Sequence, residues 1–171
     1  MFPAILLMVV CGFVAGQFPH LLGVTPVLGA VLCAACFLRP RQLFLIGLGG
    51  ILVRDLLMGL SSFTLVRLTG MALVVTLVAA LQVRPNVRSL FAGLLLSAPV
   101  FHLTLAVGNW LTGTCGSFPR TAQGLFQSVA MAVPYFQRAF LGDLFFTGLF
   151  QMAYAAAVYP MVSRMRPKLS H

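Results

Sequence analysis

Acidic residues are almost missing from this chain. Asp55 and Asp143 are the only two in 171 residues, and there is no glutamate. Charge of either sign is scarce, at 8% of residues against about 25% in an ordinary globular domain. Hydrophobic residues make up 60% and the mean hydropathy is +1.03. A chain with so little polar surface is not a soluble domain. Dyad alternation is missing too, which excludes a β-barrel, and no clear internal repeat supports an inverted-repeat transporter. No G-x-S-x-G, H-E-x-x-H or Walker sequence occurs, so no enzyme, catalytic residue, cofactor or metal site is expected. The four cysteines form no framework. "CAAC" (Cys33 and Cys36) lies within an apolar run without a second ligand pair, and reads as small packing residues.

What is present is a series of apolar runs long enough to cross about 30 Å of hydrocarbon. They fall at about 1–16, 25–38, 42–60, 63–83, 89–112 and 134–160. The expected fold class is therefore all-α: a polytopic membrane protein of about six transmembrane helices. The expected organisation is one integral membrane domain over 1–163 and a short basic tail over 164–171. The start, "MFPAILLMVVCGFVAGQ", has no positive n-region and reads as a retained first span. The breaks are chemical: Pro19, Gly23 and Pro26, then "RPR" at 39–41, then "RPNVR" at 84–88. "TGTCGSFPRTAQG" is small and polar and reads as a loop, with 113–133 as the whole connection. The second run is short for a full crossing, so tilt, a re-entrant path or a hairpin with the third run are open.

The net charge of +9 does not indicate nucleic acid, because the basic residues stand singly or in pairs at the ends of apolar runs. That is the pattern of topology determinants beside anionic headgroups. Seven of the eleven fall on one face: Arg39, Arg41, Arg84, Arg88, Arg164, Arg166 and Lys168. The positive-inside rule puts that face in the cytoplasm of a cell whose inner (plasma) membrane holds the protein, with both termini inside.

The remaining polar residues then gather at the outer end. Asp55 ends the third span and Asp143 begins the sixth; Arg54, Arg67 and Arg138 lie at the same depth, and Asn109 and Trp110 close the fifth. Asp143, Thr147, Gln151 and Tyr154 stand at i, i+4, i+8 and i+11, within about 80° on a helix. Lipid cannot satisfy such a stripe, so it faces protein or water. His102 and Asn109, seven apart, share a face, and Pro99 just before them bends the span. Asp143 is expected inside, paired with Arg67 or Arg138 or with a ligand. Asp55 and Arg54 are adjacent and do not face each other on a helix, so each is expected to find a partner elsewhere. The outer half carries Arg54, Arg67, Arg120 and Arg138 against Asp55 and Asp143, a surplus of two positives (4 − 2). That surplus favours an anionic ligand over a cationic one.

Several sequence marks occur in order: "GVTPVLGAVLCAACF", "RDLLMG", "HLTLAVGNW" and "GLFQSVAMAVPYFQRAFLGDLFFTGLF". This order resembles a family of uncharacterised bacterial membrane proteins described as transport proteins, itself similar to the S components of energy-coupling-factor (ECF) transporters. The match covers about 20–150, and its last segment is the most specific. It carries over Thr25 to Val27, Asp55 and Gly59, Asn109 and Trp110, Pro134 to Phe136, and Gly142 with Asp143. The chain departs from the family in "GVT" for N-F-T, in Arg54 for a small residue, in the register of Asn109, and in Arg138 at an amide position. The resemblance implies a six-helix bundle with a ligand pocket at the outer side, capped by loops. Its implied partners are a small-molecule ligand, a transmembrane coupling subunit and ATPases, besides the lipid bilayer. Candidate substrate-binding residues are Asp143, Asp55, Asn109, Trp110, His102, Arg67, Arg138 and Tyr135. The competing expectation is a membrane scaffold without substrate, similar in architecture to the rod-shape membrane proteins, with its acids and arginines mutually paired.

Overall fold

The structure, a computed structural model, describes residues 26–114, 116 and 118–165, with side chains to 153. The expected first span (1–16), Thr25, the side chains of Tyr154 and Arg164, and the basic residues Arg166 and Lys168 lie outside what is described. The described residues are all-helical: α1 (Val27–Ala35), α2 (Pro40–Met58), α3 (Phe63–Leu81), α4 (Val87–Thr112) and α5 (Ala122–Met165).

The breaks predicted at "RPR" and "RPNVR" are where the helices change. Pro40 is the first residue of α2, where its missing N–H costs nothing and its fixed φ suits a helix start. Asn86 caps α4, its side chain accepting from Ser89 N–H at 2.8 Å. The turn after α2 needs Gly59, whose φ of +97° is closed to side-chain-bearing residues. Gly113 N–H closes the end of α4 on Asn109 O at 2.7 Å.

Short connections make α2, α3 and α4 antiparallel neighbours, and α5 packs on α4. The nine-residue α1 sits in the middle, touching all four others. Its residues from Val27 to Ala34 are all buried, and Val27, Ala30, Val31 and Leu32 have no exposure at all. A helix apolar and buried on every side is a core element. At nine residues it is only about 14 Å long, so it does not cross hydrocarbon as a helix. Gly29 lets it approach α5 closely: a Cβ there would stand 3.0 Å from Thr147 N. Cys33 completes this contact, its thiol donating to Thr147 O at 3.4 Å, and both cysteines act as packing residues.

Two helices are long and apolar enough to cross a membrane, Phe63–Leu81 and Val87–Thr112. Only 33% and 39% of their most apolar windows are buried, so they are not the enclosed helices of a soluble core. Large apolar side chains stand exposed on the helices, among them Leu65 (72%), Leu96 (51%), Phe126 (74%) and Phe145 (64%).

The expected loop over 113–133 is corrected. Helix α5 begins at Ala122, twelve residues before the expected start of the last span, and continues through Pro134 to Met165. Its 44 residues make about 66 Å of helix. The early turns are held by α4: Ser128 is buried and donates to Ala106 O at 2.8 Å. That tie offers the first turns a packing surface, which a scan for breaks in hydropathy does not register.

Candidate functional site

The end of the bundle opposite Arg39, Arg41, Arg84 and Arg88 gathers most of the remaining polar side chains. At its centre is Asp55, with no exposure. Arg67 Nε donates to Asp55 Oδ2 at 2.9 Å, and Arg54 Nη1 reaches Oδ1 at 3.2 Å. The partner expected elsewhere for Asp55 is thus Arg67. Arg54 finds no separate acid: its side chain is long enough to fold back onto the neighbouring carboxylate, which helix-face geometry alone does not capture. Arg67 is further fixed by Ser61 Oγ at 3.2 Å and by the Phe63 ring, whose centroid lies 5.4 Å from the guanidinium carbon. Arg54 Nε remains buried without an acceptor.

Asp143 is also buried, at 4% exposure, but it is not part of this cluster. The expected ion pair with Arg67 or Arg138 does not form. Arg67 is committed to Asp55, and Arg138 is exposed on α5. Among the described residues, neither an arginine nor another donor bonds the Asp143 carboxylate. Below it the predicted polar stripe does turn inward. Thr147 is 6% exposed, and the Thr147 hydroxyl and Gln151 Oε1 are buried without partners.

Between these two acids lies a cavity of about 170 Å³. Its polar lining is Arg54, Arg67, His102, Tyr135 and Asp143; Phe63, Phe101 and Leu105 supply much of the rest. Asp55 does not line it and stands behind the arginines. A second cavity, of about 350 Å³, shares Phe63, His102, Leu105 and Tyr135 with the first and extends to Asn109 and Ser128. His102 sits at the junction, its ring edge-on to Phe101 (5.6 Å) and Phe136 (5.3 Å). A third space of about 200 Å³, almost wholly apolar, runs past His102 between Pro99 on α4 and Phe136 on α5.

The structure therefore brings Arg67, His102, Tyr135 and Asp143 to one cavity and Asn109 to the adjoining one. It does not bring Trp110 or Arg138 to either. Trp110 Nε1 donates to Pro119 O at 3.0 Å and ties down the loop after α4. Arg54 and Ser128 were not among the expected site residues. Ser128 and Tyr135 are seven apart, the spacing already noted for His102 and Asn109, and the two pairs face each other across the second cavity. Among the described residues, no three His, Cys, Asp or Glu gather to hold a metal.

Residues 1–166 match the family of unknown function DUF6580, and the chain belongs to that family. No curated protein and no solved structure matches it.

Proposed function

We propose that this is a multi-pass inner-membrane protein of about six transmembrane helices that captures a small molecule at the outer side, as an S-component-like subunit of an importer. One observation carries this reading: a cavity at one end of the bundle whose lining includes Arg54, Arg67, His102, Tyr135 and Asp143. Small-molecule sites are concave and mostly apolar with a few converging polar groups, and this lining has that composition. The exposed apolar side chains on α3, α4 and α5 suit lipid, since water-soluble monomers rarely expose such continuous apolar surface. The four arginines at the opposite end support an orientation with both termini cytoplasmic and the cavity outside. A transmembrane coupling subunit and ATPases would complete the importer.

The scaffold reading is favoured by the saturated pairing of Asp55 with two arginines. It accounts less well for Asp143, a buried carboxyl held beside open space with no cation on it among the described residues. The two readings separate in native mass spectrometry of the full chain released gently from membranes. A co-purifying small molecule, or a coupling subunit with ATPases, is the expected result. Protein that carries neither, and instead holds cell-elongation partners, overturns the capture reading.

A further inference from the structure

Neither α2 nor α3 packs on α5; α1 and α4 bridge them. The cavity therefore has two charged walls on helices that do not touch each other. On one wall are Arg54 and Arg67, whose two positive charges share the single carboxylate of Asp55. On the other is Asp143, with no cation among the described residues bonded to it. The surplus of positives counted along the sequence does not survive at the cavity. Arg120 is exposed and donates to Leu111 O, and Arg138 is exposed and outside the lining. What remains beside the cavity is Arg54 and Arg67 with Asp55 between them, and across it the buried carboxyl of Asp143. The cavity is therefore two-sided, with guanidinium groups on the α2–α3 side and, on the α5 side, a carboxyl that a cation close by would hold ionised.

We infer that this cavity takes a small zwitterion, its anionic group on Arg54 and Arg67 and its cationic group on Asp143. The inference rests on the capture reading above and names its ligand class. An anionic group would meet the guanidinium groups of Arg54 and Arg67, which line the cavity. A cationic group supplies a partner to Asp143, which has none among the described residues, and an opposite charge close by favours the ionised form of a carboxyl. A simple anion satisfies the arginines and leaves Asp143 facing it unpaired; a simple cation does the reverse. Size narrows the class further. An apolar cavity of about 150 Å³ holds one benzene ring, so about 170 Å³ holds a body of roughly six to eight non-hydrogen atoms. Leu28, Ile51 and Leu105, from the apolar lining, would meet the short carbon chain between the two charges.

The test is calorimetric titration of the full chain in lipid nanodiscs with glycine, β-alanine and γ-aminobutyrate. Each is compared with the carboxylate and the amine left when one charged group is deleted. At least one aminoalkanoate is expected to bind about tenfold or more tighter than both of its singly charged counterparts. Asp143→Asn is expected to reduce its affinity to that of the carboxylate, and Asp143→Glu to keep the preference. Arg54→Gln is expected to reduce it toward that of the amine. A carboxylate that binds as tightly as its matched zwitterion, or an Asp143→Asn variant that keeps the preference, overturns the inference. Failure of all three aminoalkanoates also overturns it. In that event a co-purified molecule of other charge in the native spectrum leaves the capture reading standing, whereas an empty spectrum removes both.

Discussion

The two acids are predicted to respond in opposite ways to the same isosteric change. Asp55→Asn removes the one negative charge between Arg54 and Arg67 and leaves two guanidinium groups facing each other at an interior site. Removing one partner of a buried pair costs about 3–5 kcal/mol. The arginine side chains keep 20% and 19% exposure, and water screens them in part, which sets the cost at the lower end, about 3 kcal/mol. For a chain of this length that is a fall in Tm of about 6–12 °C. Asp143→Asn loses no ion pair among the described residues, and its Tm is expected to stay within about 2 °C of the parent. The assay is thermal unfolding of the two variants in one detergent, followed by tryptophan fluorescence or aggregation. Adding Arg67→Gln to Asp55→Asn relieves part of the repulsion, so the double variant should recover about 1 kcal/mol or more relative to additivity. The reasoning is refuted if Asp143→Asn is the variant that falls and Asp55→Asn is unaffected, for then the ionic centre of the bundle lies on α5.

Three further outcomes are expected. A Cβ at Gly108 would overlap Val66 on α3, so Gly108→Val should lower stability by about 1–3 kcal/mol through overpacking, read as a fall in Tm. Ser128→Ala removes the hydrogen bond to Ala106 O, worth about 1 kcal/mol; amide exchange should quicken over 122–133 and stay unchanged in α2. A reporter fused after His171 should mature only in the cytoplasm, and periplasmic maturation would place the cavity on the wrong side for capture.

Much of the helical framework was legible because its punctuation is chemical. Pro40 and the "RPN" before Val87 mark helix ends through backbone geometry, and each lies within a few residues of an observed boundary. The inward stripe of Asp143, Thr147 and Gln151 was legible because helical spacing fixes which residues share a face. Partner choice was not legible. Which arginine meets which acid depends on the lateral arrangement of helices, and α3 rather than α5 turns out to flank α2. Nor was the true start of α5, since "AQGLFQSVA" is helical through packing on α4 rather than through its own hydropathy. Trp110 and Asn109 are adjacent in sequence yet diverge, one to the loop at Pro119 and the other to a cavity, because neighbours on a helix point about 100° apart.

The central position of α1 has a consequence for how the chain comes to be folded. This helix is made before α5, yet the face bearing Gly29 and Cys33 is completed by Phe146 and Thr147, at a sequence separation of 114 between Cys33 and the carbonyl it meets. Until the ribosome has released the last helix, the nascent bundle has a core helix with one side open and a buried polar stripe not yet in place. Contacts of such separation are slow to form, and incomplete intermediates of this kind are prone to association. A chain cut before α5 lacks more than that helix: the helix at the centre of the fold is left open on the face that bears Gly29 and Cys33.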